Sequence, residues 1–120
     1  MTHALILHHK KHLFTCTVCD TSFAQFRGFM FSAKPEPHHG LLFPLHASSS
    51  TSFHNLFVFF SIDFLVLTHT GAVAAIKRNI QPFTLHIMSV PAHHTVIELP
   101  AGSADSLAVG DTLTIKLKNN

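Results

Sequence analysis

Hydrophobic and polar positions alternate most cleanly near the end of the chain. Across residues 112–118, Leu113, Ile115 and Leu117 fall on one face, and Thr112, Thr114, Lys116 and Lys118 on the other. That is the period-two signature of a half-buried strand. Two further runs, 83–90 (FTLHIMSV) and 95–99 (TVIEL), are rich in β-branched and apolar residues and also predict strands. Pro91, the step from Pro100 to Gly102, and the Gly110–Asp111 pair mark the turns. Three short strands with one apolar face predict a small antiparallel β unit over residues 77–120, which needs a cover.

The middle of the chain has no such alternation. Residues 56–67 (LFVFFSIDFLVL) are nearly continuously apolar, and Asp63 is the one Asp, Glu, Lys or Arg between Pro37 and Ile76. Residues 53–76 are therefore either a core element or a membrane helix. The stretch 56–76, flanked by Lys77 and Arg78, has the length and the positive flank of a helix that crosses a bilayer. Against spanning stand Asp63 near its middle and the polar break at Thr68–Gly71. The enrichment in Phe, Val and Ile favours a strand.

Residues 1–52 are rich in His, Phe and Ser, with Pro35, Pro37 and Pro44 interrupting regular structure and a linker-like run at 47–52. The expected organisation is thus an arm (1–52), an apolar segment (53–76) and a β unit (77–120). The fold class this predicts is α+β, with an irregular or helical His/Cys-rich N-terminal arm ahead of the C-terminal β unit.

Composition narrows the function. With 120 residues the chain forms one domain, and its charged fraction of 12% is about half that of a typical soluble domain. A hydrophobic fraction of 47% excludes ordinary intrinsic disorder. The net charge is +2 with His neutral, and the cations fall in isolated pairs, which argues against nucleic acid as a partner. Twelve His would raise the charge to 8 + 12 − 6 = +14 if all were protonated. Only Ala4–Leu7 are apolar before His8, His9, Lys10 and Lys11, so no signal peptide is expected. An intracellular location follows if the chain is soluble, and a membrane location if 56–76 inserts.

The sharpest local pattern is Phe14-Thr-Cys16-Thr-Val-Cys19-Asp-Thr-Ser-Phe23, followed by Phe29. Two Cys separated by two residues can grip one tetrahedral Zn²⁺ from one side. With Phe14, Phe23 and Phe29, the segment 14–29 resembles the knuckle of the two-Cys/two-His zinc-finger family. The resemblance implies a structural zinc site. It departs from the family where the first His is required, because that position is Ser32. Two sets of His could complete the site. His8 and His12 lie upstream, and with Cys16 and Cys19 their spacing would share one face of a helix. His38 and His39 are the alternative partners downstream. The competing interpretation is that a lone Cys pair is two small buried hydrophobes and that twelve His place some near it by chance.

Other chemistry is sparse. His86, His94 and Glu98 could converge across strands, although His86 sits in a half-exposed alternation. No nucleophile with a base, phosphate-cradling loop or carboxylate pair points to catalysis, so a non-enzymatic protein is expected. The segment Pro100–Leu117 resembles the carboxy-terminal half of a PDZ domain. It is equally similar to molybdate-binding β modules and to the barrel domain of pyridoxal-phosphate racemases. The resemblance implies a tight turn before a strand and carries no binding residues over. The leading expectation is structural zinc binding through Cys16 and Cys19. The alternatives are a single-pass or membrane-associated protein, a truncated PDZ-like interaction module, and an unselected reading frame without function.

Overall fold

The computed structural model describes residues 2–45 and 51–119. The linker-like run expected at 47–52 therefore lies largely outside the described residues. Among these residues, nine strands and one short helix follow in the order β1 (Thr2–His8), β2 (Lys11–Val18), α1 (Ser22–Arg27), β3 (His39–Pro44), β4 (Thr51–Phe53), β5 (Ile62–Leu67), β6 (Val73–Ile80), β7 (Met88–Val90), β8 (Thr95–Pro100) and β9 (Thr114–Asn119). The class is all-β, with a single six-residue helix among the described residues, in place of the expected α+β arrangement.

The N-terminal arm expected to be irregular or helical is a hairpin. Ala4 and Ile6 on β1, and Phe14 and Cys16 on β2, alternate inward, while Thr15 and Thr17 are less buried. His9 and Lys10 form the two-residue turn, with φ of 52° and 66°. Positive φ at both positions is what a tight hairpin joining right-twisted strands demands, and Asn-Gly is its usual sequence. His-Lys conceals the turn from a reading based on glycine.

Seven strands form one sheet in the order β6-β5-β8-β3-β2-β1-β9, antiparallel except for the parallel pair β2–β3. The two ends of this order meet. Ala72, just before β6, bridges Thr112, just before β9, and Leu113 N–H donates to the Gly71 carbonyl at 2.9 Å. Val73 N–H donates to Asp111 at 2.7 Å on the other side of the same seam. This seam joins the two end strands at one point, so the sheet curls round into a barrel, while β6 and β9 are not paired along their length. The C-terminal strands do not form a unit of their own: β8 lies between β5 and β3, β9 lies beside β1, and β7 pairs with β4 in a separate two-stranded sheet.

Two cores result. Inside the barrel, Ala4, Ile6, Phe14, Leu65, Ile97 and Leu99 pack together. Outside it, Phe43, Phe64, Val66 and Val96 pack beneath a cover made by β4, β7 and the turn after α1, through Phe53, Val90 and Phe29. Edge-to-face pairs of Phe43 with Phe53 (5.7 Å) and Phe53 with Phe64 (5.2 Å) organise this second core.

β5 is buried at all six residues because it contributes to both cores. A strand covered on both faces reads as continuously apolar rather than alternating. That explains the segment that had the length of a membrane helix. Residues 56–76 hold a loop, β5, a turn and the start of β6, and no helix among the described residues is long and apolar enough to cross a membrane. Asp63, fully buried on β5, accepts hydrogen bonds from the backbone N–H groups of Asn79 (2.9 Å), Gly102 (3.0 Å) and Ala104 (3.0 Å).

Candidate functional site

The proposed metal ligands are not brought together. Cys16 points into the barrel, whereas Cys19, past the end of β2, belongs to the outer core. The helical spacing that would align His8, His12, Cys16 and Cys19 is realised on strands, where four residues span roughly 13 Å. His12 is exposed, with its Nε2 2.9 Å from Thr15 Oγ1. His8 stands at the end of β1 with its Nε2 3.9 Å from Asp111. The ring of His38 stacks on Phe14, and His39 opens β3 on the exposed side. Among the described residues no group of three or more His, Cys, Asp or Glu could hold a metal ion. The metal-binding expectation, and the knuckle on which it rested, are therefore corrected.

Both thiols are inert by burial. Desolvation pushes Cys16 up to about 12 and Cys19 up to about 11, and the carboxyls of Glu98 and Asp20 add to the rise at Cys19. Since the thiolate is the reactive form, Cys19 in the folded protein at pH 8 should react with a disulfide reagent on the order of 100-fold more slowly than a free cysteine, and Cys16 more slowly still. Thiol titration with and without denaturant checks this. A native thiol reacting at the free-cysteine rate would show that the burial is wrong.

A large cavity lies beside the outer core. It encloses about 440 Å³, within the usual range of small-molecule sites. Its floor is Glu98 on β8, with Phe53 from β4 on one side. Phe29 and Met30 follow α1, and Leu45 and Val58 complete the apolar wall. Gln25, Arg27, Thr51, Ser52 and His54 supply polar groups.

The local sequence explains how these elements meet. Thr21 caps α1 by accepting from the Ala24 N–H at 3.1 Å. Gln25 ties the helix to the sheet, its Nε2 donating to the carbonyls of Cys19 (3.0 Å) and Pro44 (3.2 Å). Gly28, at φ 50°, turns the chain over Glu98; a Cβ there would stand 3.4 Å from Glu98 Oε1. That distance is ordinary contact, so it is the backbone conformation, φ 50° with ψ −129°, that favours glycine at this turn. On the other side of the cavity, buried Asn55 pins the loop after β4, donating from Nδ2 to Gln81 at 2.9 Å. His54 Nδ1 accepts from the Leu56 N–H at 3.1 Å.

Glu98 is the unusual group. It is 4% exposed, and desolvation pushes its carboxyl up to about 8. Among the described residues no hydrogen-bond donor or cation is bonded to it, and its carboxyl borders the cavity. Of the cluster His86, His94 and Glu98, only Glu98 lines the cavity: His86 is exposed, and the His94 ring is 3.0 Å from the Ala92 carbonyl. Sequence reasoning noticed Glu98 but not Gln25, Gly28, Asn55 or the aromatic wall. Their roles depend on loops distant in the chain, and only the polar residue in the apolar run TVIEL signalled any of it.

Exposed aromatic residues adjoin the cavity. Phe31, Phe57, Phe59 and Phe83 are 45–66% exposed, and their rings contact one another at 5.0 to 6.4 Å. Phe31, Phe57 and Phe83 have φ of 56–61°, a conformation that disfavours bulky side chains by roughly 1–2 kcal/mol. Hydrogen bonds from Phe31 N–H to Phe57 and from Phe83 N–H to Asn55 hold them there.

Comparison with known proteins places this architecture. The model of the DUF192 family, described as uncharacterised ACR, matches residues 5–115. The chain belongs to the DUF192 family. That family takes the place of the zinc-finger resemblance, and membership removes the reading of an unselected frame. Two solved structures share the DUF192 chain's fold. One, from Sinorhizobium meliloti 1021, is described as a putative transcription regulator; it is 20% identical, with a TM-score of 0.82 over 96% of this chain and 94% of that one. The other, a protein of unknown function from Novosphingobium aromaticivorans DSM 12444, is 18% identical, with a TM-score of 0.78 over 93% and 83%. No match is found among the curated proteins.

Proposed function

We propose that this DUF192 protein is a non-enzymatic binding module whose barrel carries a small, mainly apolar ligand in the cavity over Glu98. The observation behind this reading is the cavity itself: an apolar space with aromatic walls and one buried carboxyl without a partner among the described residues. A few polar groups in an apolar pocket fix orientation, and the walls supply affinity. Against catalysis, Cys19 is too basic to act as a nucleophile, and the Ser52 hydroxyl is 3.2 Å from the Ser89 hydroxyl rather than paired with a base. The description of the Sinorhizobium protein raises DNA as a ligand. A net charge of +2 and a single six-residue helix among the described residues give little to neutralise phosphates or to enter a groove.

Titration of ¹⁵N-labelled protein with n-hexanol tests the reading. Saturable changes in chemical shift are expected at Phe29, Met30, Phe53, Val58 and Glu98, with the β1–β2 hairpin unmoved. Unsaturable or evenly scattered changes would refute it. A Val58→Phe variant, which fills the cavity, should lose the response while keeping its thermal transition.

A further inference from the structure

The structure carries two fully or almost fully buried carboxyl groups, and the fold treats them oppositely. Asp63 is met by three backbone N–H groups. Glu98, 4% exposed, has no donor bonded to it among the described residues and borders open space. The Glu98 oxygens are not sealed off but face the cavity, so their partner is whatever fills that space, water or a ligand from outside the chain.

The surroundings identify that partner's chemistry. Glu98 accepts hydrogen bonds and, when ionised, attracts a cation. Both N–H bonds of the Gln25 amide are used on Cys19 and Pro44, so what this side chain has left to offer is its carbonyl oxygen, a further acceptor. Phe29 and Phe53 add aromatic rings, whose faces favour cations. The titratable neighbours are few: Cys19 stays protonated, His54 lines the wall with its Nδ1 occupied by Leu56, and Arg27 is exposed, with its Nη2 3.5 Å from Ser32 Oγ. An anionic ligand would meet the Glu98 carboxyl, while the Arg27 guanidinium of the lining is exposed and lies 3.5 Å from Ser32 Oγ. A neutral alcohol offers one donor to a group with two acceptor oxygens. An ammonium offers three donors and a charge.

We propose that the Glu98 cavity takes a primary amine on a short apolar chain, its ammonium paired with the Glu98 carboxylate and its tail along Phe29, Phe53 and Val58. This deepens the proposed binding function and rests on it. The step is proton-balanced: the amine enters as ammonium, and Glu98 releases its own proton to solvent. Because the empty carboxyl titrates near 8, binding at pH 7 should release close to one proton, and the apparent affinity should rise nearly tenfold per pH unit between 6 and 7.

Calorimetry with n-hexylamine, n-hexanol and hexanoate, in two buffers of different ionisation enthalpy, tests this. The expected result is n-hexylamine at least tenfold tighter than n-hexanol, no measurable hexanoate, and about one proton released. Glu98→Gln should abolish both the preference for the amine over n-hexanol and the proton release. If n-hexanol or hexanoate binds as well as the amine, or no proton leaves, the amine assignment falls and the apolar cavity stands. If none of the three binds the folded protein, both fall.

Discussion

Raising the pH from 5 to 8 should weaken the folded protein by about 3–4 kcal/mol through Glu98 alone. The sign follows from the direction in which burial moves this carboxyl. Burial raises it from 4.5 to about 8, so across that window the folded state holds a proton that the unfolded state has released. Stability is therefore greatest below 4.5 as far as this group is concerned, and it is lost progressively until the folded carboxyl itself ionises near 8. A tenfold difference in proton affinity between the two states is worth about 1.4 kcal/mol, which sets the size of the effect. Denaturant unfolding at pH 5, 6, 7 and 8 measures it directly. Glu98→Gln replaces the carboxyl by an amide of the same shape that does not ionise. That variant should show a slope reduced by most of this amount and should exceed the parent at pH 8. A slope that survives the substitution would belong to other groups and would show that Glu98 is solvated.

The same residue shows how far the sequence could be read. Strand β9 was legible because its sequence alternates: Leu113, just before it, and Ile115 pack against the inner core and Thr114 and Lys116 are more exposed, although Leu117, expected on the inward face, is 65% exposed. The run TVIEL was recognisable as β8, and the longer run 83–90 narrowed to β7 at Met88–Val90. What defeated the reading elsewhere was long-range organisation. A strand buried on both faces loses its period, so β5 resembled a membrane helix. Four metal-ligating residues at near-helical spacing suggested a shared face, but β1 and β2 follow a period of two, and a hairpin turn without glycine separates them. Closure depends on Ala72 meeting Thr112, forty residues apart, and no local pattern records that. The cavity needed α1, the loop after β4 and the middle of β8 to converge, so Glu98 was visible as a polar residue in an apolar strand while its unmet carboxyl was not.

Replacing Asp63 should destabilise the fold more than replacing any other buried polar side chain among the described residues. Its carboxylate accepts from the backbone N–H groups of Asn79, near the end of β6, and of Gly102 and Ala104, in the turn after β8. A strand presents its own carbonyls to its neighbours and not to a turn beyond their ends. The side chain therefore supplies acceptors that the backbone of β5 does not. Removing a buried partner leaves each donor short by about 1–3 kcal/mol. Asp63→Ala, which orphans three donors at once, should lose roughly 3–6 kcal/mol, and this is comparable with the whole stability of many domains. Asp63→Asn keeps one carbonyl oxygen but turns an amide toward the remaining donors; it should lose roughly half as much and remain measurable if the alanine variant does not fold. Hydrogen exchange separates a local role from general damage. In Asp63→Asn the amides of Asn79, Gly102 and Ala104 should exchange much faster than those of the β1–β2 hairpin, whose hydrogen bonds do not involve this carboxylate. Uniform acceleration across both regions, or a loss below about 1 kcal/mol, would mean that the three bonds do not fasten β6 and the β8 turn to the barrel wall.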